Sequence, residues 1–218
     1  MKSPFFVALM SASPTINLPH AAPTKSHIQV GSGAAIFRAG PLPSARLAGE
    51  LNGKKLGFKY SSTSYVGQAA EHFQVAGLRY LFLHKKSIRL APYMMVAQHL
   101  GISSLDHRMT GRIGLAIDTG GSRWRYDGSL SLYGLQYFTY DTVEEPLKPM
   151  NVFEATLLGS EHGVSCQINK RHQLRIGLLG VLPSIRYQWA IPKGPHLSTT
   201  IATLGPQNIL QIELGTGF

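Results

Sequence analysis

The sequence predicts an all-β fold: a closed antiparallel up-and-down transmembrane β-barrel of about 12 strands, with about 10 as the alternative count. Three observations carry this reading. The 218 residues include 23 Gly, 13 Pro and nine each of Tyr and Phe, a composition that suits many short strands joined by turns. Charged residues make up 15% of the chain against 44% hydrophobic. That charge content lies below the roughly 25% of a soluble domain and implies an apolar exterior. Finally, several segments alternate apolar with polar or small residues over lengths that reach the roughly 9 to 11 tilted residues needed to cross a bilayer.

At the N-terminus, one positive charge (Lys2) precedes the short apolar run Phe5 to Met10, which reads as a signal peptide over residues 1–22 with cleavage after Ser13 or the Ala21-Ala22 pair. The barrel then occupies residues 27–218. No run of 18 apolar residues is present, so any membrane crossing is made by strands. Strands are expected at 27–38, 44–51, 54–60, 71–83, 87–98, 107–119, 123–140, 151–159, 163–169, 172–191, 196–204 and 208–218. Asn52-Gly53 suits a two-residue type I′ hairpin between the second and third. Other short turns are expected at His84 to Ser87, Thr119 to Ser122 and Ser160 to Gly163, with longer polar connections at Ser61 to Ala70, Gly101 to Asp106 and Asp141 to Met150. Short and long connections would then alternate between the two barrel ends.

The faces of the strands are separable by parity. Met109, Gly111, Ile113, Leu115 and Ile117 fall opposite Thr110, Arg112, Gly114, Ala116 and Asp118. In the next segment Trp124, Tyr126, Gly128, Leu130, Leu132, Gly134, Gln136, Phe138 and Tyr140 share one face. Its aliphatic middle and aromatic ends suit lipid, with Trp124, Tyr126, Phe138 and Tyr140 as an aromatic girdle. Residues 172–191 change phase: Leu174, Ile176 and Leu178 share one parity and Ile185, Tyr187, Trp189 and Ile191 the other, with Gly180 and Pro183 marking a bulge or an extra turn. A soluble sandwich or barrel with an inward apolar face would alternate in a similar way, binding an apolar ligand inside.

The chain carries 21 Lys and Arg against 11 Asp and Glu, a formal charge of +10. These charges sit singly in turns and at alternate strand positions rather than in a basic arm, so nucleic acid is not indicated as a partner. With polar faces turned inward, Arg89, Arg108, Arg112, Arg123, Arg125 and Arg175 line a lumen and face Asp118, Asp127, Glu154 and Glu213. Such a lumen is either interlocked by ion pairs or an anion-preferring channel. Cys166 is the lone cysteine, and the nine His residues are dispersed; no metal or cofactor site is expected. The Ser and His candidates for catalysis are His162 with Ser165, and His99 with Ser103 and Ser104. The first pair falls on opposite strand faces, and no convincing catalytic constellation results.

At the C-terminus Leu210, Ile212, Leu214, Thr216 and Phe218 alternate with Gln211, Glu213, Gly215 and Gly217, and the chain stops on Phe218. This resembles the C-terminal strand of outer-membrane β-barrel proteins of Gram-negative bacteria, with Thr216 standing where that family usually has a large apolar residue. The hairpin around Gly77 to Tyr93 is similar to those of small and medium barrels of this kind. The resemblance implies an outer-membrane location, recognition of Leu210, Ile212, Leu214 and Phe218 by the barrel assembly machinery, surrounding lipid as partner, and a monomeric, porin-like channel or structural surface protein. An outer-membrane lipid hydrolase is the enzymatic alternative.

Overall fold

The computed structural model describes residues 26–37, 40–66, 71–85, 87–101, 107–140, 143–150, 161–179, 182–190, 195–204 and 207–217. Residues 1–22, Ser103, Ser104, Glu154, Phe218 and the strand expected at 151–159 lie outside them, and the side chains of Arg108, Phe138 and Tyr140 are likewise not described.

Fourteen β-segments pair antiparallel in one closed sheet. They are β1 (His27–Phe37), β2 (Gly40–Asn52), β3 (Leu56–Tyr65), β4 (Glu71–Tyr80), β5 (Leu83–His84), β6 (Ile88–Gly101), β7 (His107–Gly120), β8 (Trp124–Tyr140), β9 (Val143–Met150), β10 (Glu161–Gln167), β11 (His172–Leu179), β12 (Leu182–Ala190), β13 (His196–Leu204) and β14 (Gln207–Gly217). β1 pairs with β14 from His27–Gly217 to Ile36–Asn208, which closes the ring. β5 continues the path of β4 along β6. β9 and β10 follow one another along the same edge of β8, with Met150 opposite Gly134 and His162 opposite Gly128. Fourteen segments thus fill 12 wall positions. The β1–β14 and β8–β10 pairings close the ring, as a strand protein in hydrocarbon requires because an unpaired backbone amide has no water to turn to.

The expected count of 12 is met by two differences that offset each other. The stretch 172–191 is two strands rather than one: Leu179 pairs with Leu182, and Ile176 with Ile185. Partners in a two-residue hairpin have opposite parity, so the change of phase was the mark of that hairpin. Conversely, Glu161 to Gly163 is strand paired with Gly177 to Leu179, not a turn, and the reversal comes later, at Ile168 to Arg171. The expected connection 141–150 contains β9, and 61–65 completes β3. Two of the three expected long connections are thus shorter than expected, while 102–106 of the third lies outside the described residues.

The hairpin at Asn52-Gly53 also differs. Leu51 pairs with Phe58 and Asn52 with Gly57, so the reversal spans Gly53 to Lys55, and among the described glycines only Gly120 has a positive φ, at 136°. A type I′ turn is therefore absent. The Asn52 side chain is used instead as an acceptor for the Arg79 guanidinium.

Alternation holds on most strands. Ala45, Leu47 and Leu51 flank buried Arg46, Ala48 and Glu50, and Met94 and Val96 flank buried Tyr93, Met95 and Ala97. Apolar side chains line the outside and polar ones the inside, the reverse of a soluble barrel and the arrangement of one set in lipid. β8 breaks phase midway. Ile113 pairs with Tyr133 but Gly114 with Ser131, leaving Leu132 as an inserted residue. Leu132 and Tyr133 are both exposed, while Gly134 turns inward. The expectation that Gly134 and Gln136 share the face of Trp124 is overturned by this bulge, since one extra residue exchanges the faces that follow it.

Candidate functional site: the barrel interior

The inner wall divides into two chemistries. On β4, β6 and β7, Val75, Ala91, Tyr93, Met95, Ala97 and Ala116 form an apolar cluster, and above it Tyr65, Phe73 and His99 contact one another edge-on and stacked. The rest of the wall is polar, with Ser44, Ser61, Thr63, Ser129, Ser165, Ser184, Ser198 and Thr200 buried beside charged groups.

Four ion-pair groups hold these charges. Arg46 of β2 meets Glu213 of β14, which also accepts from Ser198 Oγ at 3.3 Å. Arg79 of β4 donates to Glu50 Oε1 of β2 at 2.8 Å. Arg175 of β11 donates to Asp127 of β8 through Nη2 at 2.7 Å and Nε at 3.1 Å. Arg125 donates to Asp118 Oδ1 at 2.5 Å, with Arg89 at 3.9 Å from the other carboxylate oxygen.

The first three pairs share a construction. Each joins strands that are second neighbours and crosses a glycine on the strand between: Gly31 under Arg46–Glu213, Gly57 under Arg79–Glu50 and Gly163 under Arg175–Asp127. A Cβ on Gly57 would stand 2.5 Å from Arg79 Nε, and one on Gly163 2.6 Å from Arg175 Cζ. Only the missing side chain lets the guanidinium lie flat on the wall. Tyr93 uses the same device, crossing Gly114 so that its hydroxyl meets Ser131 Oγ of β8 at 3.0 Å.

Of the lumen residues read from the sequence, Arg112, Asp118, Asp127, Arg175 and Glu213 are buried inward, and Arg89 and Arg125 are half-buried at one mouth. Arg123 is exposed in the β7–β8 turn. Arg108 shares the backbone parity of Arg112, opposite His99. Arg46, Glu50, Arg79 and Arg186 escaped the sequence reading, although Arg46-Leu47-Ala48-Gly49-Glu50-Leu51 carries the two-residue period that would have found the first two.

At the mouth formed by the turns near Gly121 and Lys170, a cavity of about 650 Å³ is lined by Ser87, Arg89, Gly120, Gly121, Ser122, Arg123, Arg125, Ser165, Gln167 and Gln173. No carboxylate belongs to that lining.

Outside, Trp124 (58% exposed), Tyr126, Tyr187 and Trp189 gather on one side of this same end, with Tyr80 and Phe82 elsewhere around it. Tyr126 and His162 share a hydrogen bond of 2.8 Å, as do Tyr187 and His172 at 2.5 Å. Near the other end the outward positions become polar, with His72 bonded to Ser64 and Gln74, and Gln98 to His107. Leu210, Ile212 and Leu214 of β14 all point outward.

His162 and Ser165 do not meet. His162 is outward with Tyr126, whereas Ser165 is buried inward, 3.5 Å from Asp127. His99 is buried inward against Phe73. No group of three potential metal ligands occurs among the described residues.

No protein-family model matches the chain, and no curated protein matches it in sequence. Solved structures do match in shape. An outer-membrane channel of Pseudomonas putida F1 aligns with a TM-score of 0.57 at 9% identity, covering 91% of this chain and 97% of that one. The NanC porin aligns at 0.56 and 10%, covering 88% and 98%, and the KdgM porin at 0.55 and 9%, covering 87% and 99%. The outer-membrane phospholipase of Salmonella typhi, solved as a dimer with calcium, aligns at 0.53 and 10%, covering 97% and 96%. The fold is that of outer-membrane β-barrels, and the apolar exterior with its aromatic end suits a lipid bilayer.

Proposed function

We propose that the chain is a narrow, porin-like channel of the outer membrane that prefers anions. The observation that carries this reading is the charge of the inner wall. Seven inward arginines (Arg46, Arg79, Arg89, Arg112, Arg125, Arg175 and Arg186) face four described carboxylates, Glu50, Asp118, Asp127 and Glu213. The mouth cavity adds Arg123 to Arg89 and Arg125 without an acid in its lining. A water-filled passage with that surplus holds a positive potential, concentrating anions and repelling cations. Planar-bilayer recordings of the purified full-length chain under a potassium chloride gradient test the reading. The expected result is unitary steps with a reversal potential on the chloride side of zero. Absence of steps would remove the channel, and a reversal potential at zero or on the potassium side would remove the anion preference.

A further inference from the structure

Arg112 differs from the other inward arginines. It is 3% exposed, and its Nε and Nη1 reach no hydrogen-bond partner. Among the described residues no carboxylate pairs with it, whereas Arg46, Arg79, Arg125 and Arg175 each have one. A guanidinium cannot shed its proton to relieve burial, and a buried charge without a counter-charge is strongly disfavoured.

The immediate neighbours of Arg112 offer it no counter-charge. Its cross-strand neighbours are Met95 and Gly134, so one flank carries no side chain. On β7 the inward positions beside it are Gly114 and Thr110, and the Thr110 hydroxyl is also buried without a partner. Tyr93, which would otherwise project here, is drawn flat across Gly114 to Ser131. The adjoining wall is the apolar cluster containing Met95 and Ala97, and a poorly hydrated wall strengthens the pull of a cation on an anion.

We propose that Arg112 and Thr110 form a binding station inside the barrel for the carboxylate of a small organic anion. The station rests on the channel reading, and it deepens that reading by naming the solute class and the place where the solute pauses. Guanidinium and hydroxyl together supply charge-assisted donors suited to a carboxylate. Six residues down β7, roughly 20 Å along the strand, Arg125 and Arg89 attend Asp118 at the mouth. They would provide the second, weaker site from which a held anion can leave, as conduction requires.

Acetate is the probe, applied to full-length wild type, Arg112→Gln, Arg112→Lys and the exposed-turn control Arg171→Gln, each folded in detergent. Exchanging chloride for acetate at constant ionic strength is expected to raise the thermal midpoint of wild type, Arg112→Lys and Arg171→Gln by a few degrees, on the order expected for ligand linkage in a chain this size. Arg112→Gln should show no rise. Equal rises in wild type and Arg112→Gln, or none in wild type, would overturn the station. In bilayers, wild-type conductance in potassium acetate should saturate with concentration, and that of Arg112→Gln should stay linear. A wild type that shows the acetate-dependent rise but no conductance would sink the channel and spare the binding site; a conducting wild type without saturation would sink the site and spare the channel.

Discussion

Arg46 and Glu213, 167 residues apart in sequence, meet inside the barrel across Gly31, the residue of β1 that pairs with both. β1 and β14 are the first and last strands of the described barrel, so this ion pair lies over the seam that closes the ring. Removing its acid leaves a buried arginine uncompensated. Glu213→Gln is expected to destabilise the folded barrel by about 3–5 kcal/mol, while Arg46→Met combined with Glu213→Leu should lose far less. Equilibrium unfolding in detergent reads both, and a double variant as damaged as the single one would contradict the account.

Glycine at position 114 is required by contact. A Cβ there would fall 2.2 Å from the Leu130 carbonyl and 2.6 Å from the Tyr93 hydroxyl, whereas one on Gly111, three residues earlier on the same strand, meets nothing within 4 Å. Gly114→Ala should therefore cost about 1–3 kcal/mol, and Gly111→Ala should stay within roughly 0.5 kcal/mol of wild type. The same unfolding measurement compares them, and similar losses for both would show that the contact is unimportant.

On the exterior, Ile113 is half-exposed in the middle of β7 and Trp124 sits at the aromatic end. Arginine at position 113 should destabilise by about 2–4 kcal/mol, and arginine at position 124 by only about 0–1. Refolding titrations into phosphocholine vesicles check the depth dependence. An inverted order would mean that the lipid level has been misplaced.

How much of this was legible beforehand depends on what each strand had to satisfy locally. Residues 107–132 show their faces in the sequence because lipid and lumen impose opposite chemistry at every step. Arg112, Asp118 and Asp127 could be assigned inward from that period alone. Beyond Leu132 the period misled, because a single inserted residue leaves no compositional trace yet reverses the faces that follow. Nor could the partners be read. Arg46–Glu213 and Arg175–Asp127 skip a strand, and the glycines beneath them resemble ordinary strand glycines until the register is known. Asn52-Gly53 failed for a related reason: a lumen arginine claimed the asparagine that local turn chemistry had assigned to the bend.

Deletion of Leu132 tests the bulge. With the insertion removed, Ser131, Tyr133 and Gly134 keep their partners Gly114, Ile113 and Arg112, and the alternation of faces becomes regular. The variant is expected to fold, with the heat-dependent gel shift of a barrel, and to keep the wild-type unit conductance. A changed unit conductance would show that the insertion shapes the lumen as well as the ladder.

The inserted residue in β8 therefore acts as a gauge. Were Leu132 to pair with Ile113 instead of standing out of the ladder, Tyr133 and not Gly134 would face Arg112, so one unpaired residue decides whether a phenol or a hydrogen atom confronts the guanidinium at mid-barrel.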